Sequence, residues 1–419
     1  MTAVETFQTL PSEIFTEVLS LLPAIEDVVH VAITNGFNYQ RVRGSESHIV
    51  HQVLINQLDV DPLAICVARH AATTAPWKYP KDIGDAIAED KDDYLDKIMA
   101  FGEQYLSKQA TELLLPARDF TLKMASSILS FDDCTFRIAE RIATRILTDL
   151  NTDPTPRSTE IARVKRSLYI LDIICHLLHS TPFTVEEHRG HDSARQNTAF
   201  TKFWLNFAPW ECAQVQGLEW MMMDLIDDAY VAKHGGRPAP NRRRVEMKHA
   251  LKLMLIMGVE ALEPLVIRQE FTTAWEDLYA TLQGEDQSTA DNRRYEKITE
   301  VTYEDYFCWF DLSAVDQTQG SGDEYATTID ALNIDRYNAT DHTGARDAWF
   351  SQLNRFSGIF VPDPAFTEAE DEWDVGDLEY SPHQVLWWDR ERMEAVTEVS
   401  SLEDMMEVLK ENVLVLIRE

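Results

Sequence analysis

Three carboxylates come closest to a reactive constellation in this chain. Asp224, Asp227 and Asp228 fall within a helical pattern over residues 219–230. Spacings of three and four put two of them on one helix face, where paired carboxylates can hold Mg²⁺ through oxygen ligands. Histidines offer a second set. The pairs His48/His51, His176/His179 and His188/His191 are each three apart, a workable ligand spacing on a helix. The first two pairs lie among Ile, Val and Leu, as ordinary helix positions do. The third sits in Glu186-Glu187-His188-Arg189-Gly190-His191-Asp192, a polar loop with five potential ligands. A plainer reading stands beside each: a solvated acidic face for the aspartates, and a surface loop for the histidines. No Gly-rich phosphate loop, nucleophile elbow or Cys-X-X-Cys pair occurs. The chain is therefore read as non-enzymatic, with no catalytic residue, no cofactor and no metal.

The elements that would carry these residues are helices, and the fold class expected is mainly α. Residues 92–107 repeat apolar side chains at helical spacing through Leu95, Ile98, Met99 and Tyr105. Residues 120–150 do the same through Ile128, Phe136, Ile142 and Leu147. There the interruption Phe131-Asp132-Asp133 predicts two helices, the second with an acidic start. Further helices are expected at 158–179, 210–232 and 400–417, and a long one at 245–282 bent at Pro264. Loops are expected at 181–197, 234–241, 283–294, 311–325 and 361–382. The Pro-rich break at 151–158 and the loop at 283–294 are possible points of subdivision. No repeat of 20–50 residues is present, which argues against propeller and leucine-rich architectures.

One short helix near the start has a face that needs a cover. Leu10-Pro11 and Leu22-Pro23 bracket it, and Ile14, Val18, Leu19 and Leu22 supply its apolar positions. Spacings of four, one and three place these on one side. Pro11 suits the first turn and Pro23 stops the helix. Glu13 and Glu17 lie early, toward the positive end of the helix dipole. The physics is that of an amphipathic helix suited to binding a partner.

This segment resembles the start of an F-box, in which a Leu-Pro, a Glu-Ile-like pair and a Leu-Leu-Pro open a bundle of about 45 residues. Glu26-Asp27-Val28-Val29 stands where that family begins its second helix. Val31, Ala32 and Phe37 stand for its apolar face and closing aromatic. Thr34-Asn35-Gly36-Phe37 departs from the family in lacking a Lys or Arg before the aromatic, and its Gly weakens a helix. The order of four further segments resembles F-box-like proteins of filamentous fungi. They are His48-Ile49-Val50, Leu63-Ala64-Ile65-Cys66-Val67-Ala68-Arg69, Phe207-Ala208-Pro209-Trp210-Glu211 and Trp387-Trp388-Asp389-Arg390-Glu391-Arg392.

The likeness implies a three-helix F-box-like bundle over residues 1–50 and a large irregular helical domain over 51–419. It implies a substrate-recognition subunit of a cullin-based (SCF) ubiquitin ligase. Leu10, Pro11, Ile14, Val18, Leu19, Leu22 and Pro23 would then touch the Skp-family adaptor, and the remainder would present an unknown protein substrate. Two alternatives stay open. One is an F-box-derived scaffold without ligase binding. The other is a Mg²⁺-dependent helical enzyme, since an Asp-bearing helix in an all-helical chain is similar to those of terpene synthases. Against it, Asp227-Asp228 is followed by Ala229-Tyr230-Val231, and Glu276-Asp277-Leu278-Tyr279-Ala280 lacks the hydroxyl of the second metal motif.

Bulk properties narrow the partners. The net charge is −33, and from residue 300 onward 28 Asp and Glu face 7 Lys and Arg. Phosphate-backbone binding needs Lys and Arg to displace counterions, so no nucleic acid is expected. The same charge argues against an anionic membrane surface. No apolar run is long enough to span a bilayer and no signal peptide is expected, which points to the cytoplasm or the nucleus. Five scattered cysteines, Cys66, Cys134, Cys175, Cys212 and Cys308, read as reduced thiols. The basic cluster at 233–248 reads as an intramolecular partner for the acidic C-terminal third, or as an import or docking signal. The acidic segment 368–379 around Trp373 reads as a solvated loop.

Overall fold

The computed structural model describes residues 9–75, 91–107, 110–115, 118–149, 155–177, 258–268 and 387–397, with eleven positions between 203 and 225. The fold is mainly α. Among the described residues every regular element is a helix or helical turn. Helices α1 (Ser12–Ser20), α2 (Ile25–Ile33) and α3 (Gly36–Gly44) form an N-terminal bundle together with the helix that follows them, α1 packing on that fourth helix and α2 on α3. Next come α4 (Glu46–Leu58), α5 (Val60–Thr74) and α6 (Lys91–Phe101), then two π-helical turns at Gly102–Leu106 and Ala110–Leu114. Two long helices follow, α7 (Leu122–Asp149) and α8 (Ser158–Leu177). A 3₁₀ turn at Val259–Leu262 leads into α9 (Glu263–Arg268), and α10 (Arg390–Thr397) is the last described helix.

The bundle is built by capping as much as by burial. Pro11 immediately precedes α1, and its carbonyl accepts the first helical bond from the Phe15 N–H at 2.9 Å. The carbonyls left open at the end of α1 are met by Asn56, whose Nδ2 donates to Ser20 O (2.9 Å) and Leu22 O (3.1 Å). Asn35 caps α3 by accepting the Asn38 N–H at 2.8 Å. Gly36 therefore opens a third helix and does not weaken the second. Phe37 lies on α3 rather than on α2, and it is exposed, so it does not close the bundle core as the resemblance led us to expect.

Phe15, Leu19, Val28, Ala32 and Val42 form the bundle's inner face, continuous with Ile49, Val50, Val53 and Leu54 of α4. The first residues of α4 then tie the bundle to α7. Glu46 Oε1 accepts the Leu122 N–H (2.9 Å), and Ser47 Oγ both accepts from the Phe120 N–H and donates to Arg118 O, each at 3.0 Å. Position 50, where the sequence suggested a division, falls inside α4.

Among the described helices the most extensive packing is that of α5, α7 and α8. The α7 segment is one continuous helix of 28 residues, and this corrects the expected break at Phe131-Asp132-Asp133. Asp132 does not interrupt α7 because its carboxylate has partners across the seam, in Lys165 Nζ at 2.7 Å and the Tyr169 hydroxyl at 3.0 Å. The expected bend at Pro264 is also corrected. Gly258, whose φ of +98° suits glycine, precedes the 3₁₀ turn, and Pro264 sits not inside a longer helix but in the first turn of α9, where its missing N–H is harmless.

Candidate functional site

The two faces of α1 divide the residues that sequence spacing grouped together. Leu19 is buried, with Phe15, and both belong to the core. Ile14 and Val18 are 49% and 39% exposed. Leu10 and Leu22 are half-buried against the core, while Pro11 and Pro23 are exposed. The outer face gains residues that spacing did not single out. Leu21 at the end of α1 is 78% exposed, Ile33 at the end of α2 is 72% exposed, and Phe37 and Tyr39 on α3 are exposed as well. Most of the large exposed hydrophobics among the described residues thus belong to the bundle.

Arg41 holds this surface in shape. Its guanidinium lies 3.9 Å from the centroid of the Phe15 ring and 5.4 Å from that of Phe37. Nη2 donates to Leu10 O at 2.8 Å and Pro11 O at 3.0 Å. A cation is thus present at the aromatic after all, supplied four residues downstream of Phe37, one helical turn away. It anchors the Leu10-Pro11 entry of α1 to α3 through charge-assisted bonds and cation–π contacts.

Of the four downstream segments, one lies under α1 and three reach α8. Ile49 and Val50 lie in the core beneath α1. Charged residues of the other three segments each pair with α8. Arg69 Nε donates to Asp172 Oδ2 at 2.7 Å, and its guanidinium covers the Phe131 ring at 3.5 Å. Glu211 accepts from Arg166 Nε. Asp389 Oδ1 accepts from Arg163 Nη2 at 2.7 Å, and Arg392 Nη2 donates to Glu160 Oε2 at 2.9 Å. Trp387 and Trp388 are buried beside these pairs.

Asp172 is a fully buried hub. Burial alone would raise its pKa, but His176 and Arg69 hold it below the ordinary carboxylate range, and the Val259 N–H adds a 2.8 Å bond. Asp389, half-buried, is likewise lowered against the opposing effect of burial, by Thr159 and Arg163. These groups are mutually satisfied, so they read as architecture rather than as an open reactive centre.

The chemical candidates fare differently. Asp224, Asp227 and Asp228 lie outside the described residues, as do His179, His188, His191, the basic cluster at 233–248, the acidic segment 368–379, Cys212 and Cys308. His51 is buried and stacks on Phe120 at 4.8 Å, whereas His48 is exposed, so that pair does not converge. Cys66, Cys134 and Cys175 are free thiols. Burial pushes Cys66 and Cys134 up to about 12, which leaves both protonated and unreactive. Among the described residues, no group of three or more His, Cys, Asp or Glu is placed to hold a metal. No described helix is long and apolar enough to cross a membrane. Comparison with protein-family models, with curated proteins and with solved structures gives no match to this chain.

Proposed function

We propose that this chain is a substrate-recognition subunit of a cullin-based SCF ubiquitin ligase, docking the Skp-family adaptor through the outer face of α1–α3. One observation carries the reading: a bundle whose inner face is packed also keeps Ile14, Val18, Leu21, Ile33 and Phe37 in water. Ile14, Val18 and Leu21 follow one another along one side of α1 at helical spacing, and an exposed apolar strip of that kind marks a surface that another protein covers. The chain does no covalent chemistry in this reading. Its cytoplasmic or nuclear location would follow from that of its partners.

The experiment is capture of a Skp-family adaptor and a cullin by the full-length chain. Val18→Asp with Leu21→Asp is the informative variant, since it sets charge in a dry interface yet leaves the core intact. Capture should disappear while the melting temperature stays put. Substituting Leu19 would be ambiguous, because that side chain belongs to the core. A second reading is an F-box-derived scaffold without ligase binding. The ties of α4 to α7 through Glu46, and to the residues just before α7 through Ser47, favour it, because they join the bundle to the rest of the described core. A folded parent protein that captures no adaptor selects the scaffold.

A further inference from the structure

We propose that the groove between α2 and the middle of α7 binds a peptide in which a Lys or Arg adjoins a bulky apolar side chain. This names the substrate class of the receptor reading and rests on it. The groove encloses about 630 Å³. Its floor is Ile25, at 3% exposure, and the half-buried Leu129. Val29 and Phe136 also line it, and at 37% and 42% exposure both have surface to offer a ligand. An apolar floor with an exposed aromatic at the edge is how binding clefts seat a Leu or Phe anchor.

One end is acidic. Glu26, Asp132 and Asp133 line it, and Arg137 joins Asp133 to Glu263. Among the described residues Lys165 pairs with Asp132 and Arg137 is shared between Asp133 and Glu263, while Glu26 has no ion pair; His30 also lines the groove. On Asp132 the bonds from Lys165, Tyr169 and Cys66 all fall on Oδ1. Oδ2 has no hydrogen bond among the described residues and remains able to accept one. The whole-chain charge of −33 adds long-range attraction for a basic ligand, and it opposes a second copy of the same chain as occupant.

The test is fluorescence polarisation with the full-length protein and three labelled ten-residue peptides. The first alternates Leu or Phe with Lys or Arg, the second carries Glu in place of each cation, and the third carries Ala in place of each Leu or Phe. Saturable binding of the first alone is expected, weakening with added salt. Phe136→Ala should weaken it about tenfold. Glu26→Gln with Asp133→Asn should weaken it roughly fivefold and flatten its salt dependence. All three positions are exposed, so the fold should survive. Equal binding of the three peptides, or variants that bind like the parent, overturns the proposal. So does self-association that Phe136→Ala abolishes. Adaptor capture is read separately, and peptide binding by a chain that captures no adaptor would leave the groove standing and remove the receptor reading.

Discussion

Two leucines at the end of α1, Leu19 and Leu21, have opposite jobs, and that can be measured. Leu19→Ala should cost about 2–5 kcal/mol in urea unfolding, because it empties a packed site. Leu21→Ala, at 78% exposure, should stay within about 0.5 kcal/mol. The sequence made the helix and its brackets legible through Pro11, Pro23 and the apolar spacing. It did not reveal which apolar residues point inward. Ile14, Phe15, Val18, Leu19, Leu21 and Leu22 fall within an arc of about 160° at 3.6 residues per turn, so spacing marks the apolar side but not which edge of that arc is buried. Arg41 was likewise hidden, since its partners Leu10 and Pro11 lie about 30 residues away and no local spacing connects them. Histidine sets a pH dependence at this scale. Burial, and then His48, lower the pKa of His51 below 6.5, and burial, and then Arg69, do the same for His70. The unfolded chain therefore takes up these protons first. Stability is full above pH 6.5 and falls as the pH drops below it. Urea midpoints between pH 7.5 and 5.5 should show that decline, and His51→Gln with His70→Gln should shrink it.

Among the elements, α8 carries the architecture. Its charged residues Glu160, Arg163, Arg166 and Asp172 gather segments from residue 69 to residue 392. Arg392→Ala would leave Glu160 charged and buried, at a cost of about 3–5 kcal/mol. Thermal unfolding of that variant should show a lower midpoint, and Glu160→Gln in the same chain should recover part of the loss. The α4–α5 junction offers a gain instead. Asp59 holds φ at 65° and ψ at 168°, a conformation suited to glycine, so Asp59→Gly should add about 1 kcal/mol of stability in the same assay. Element types were readable from apolar periodicity, while two boundaries were not. Asp132-Asp133 looked like a helix start, yet Asp132 is a seam residue whose partners Lys165 and Tyr169 are distant in sequence. Pro264 looked like a bend within a long helix, yet it lies in the first turn of α9, and Gly258 ahead of it is held against the buried Asp172, 3.3 Å from where a β-carbon would sit.

At the largest scale, the bundle and the long helices share one continuous apolar core among the described residues, and two features of its surface bear on function. One is the aliphatic outer face of α1–α3, and the other is the groove beside it between α2 and α7. In the receptor reading they divide the labour: the first holds the ligase and the second holds what the ligase modifies. Their closeness would keep a bound peptide near the adaptor. The most direct measurement is sedimentation of the purified full-length chain mixed with a purified Skp-family adaptor, alongside the Val18→Asp/Leu21→Asp variant at matched melting temperature. A one-to-one complex with the parent and none with the variant is the predicted result. A folded parent that sediments apart from the adaptor, or a variant that binds as the parent does, contradicts the account.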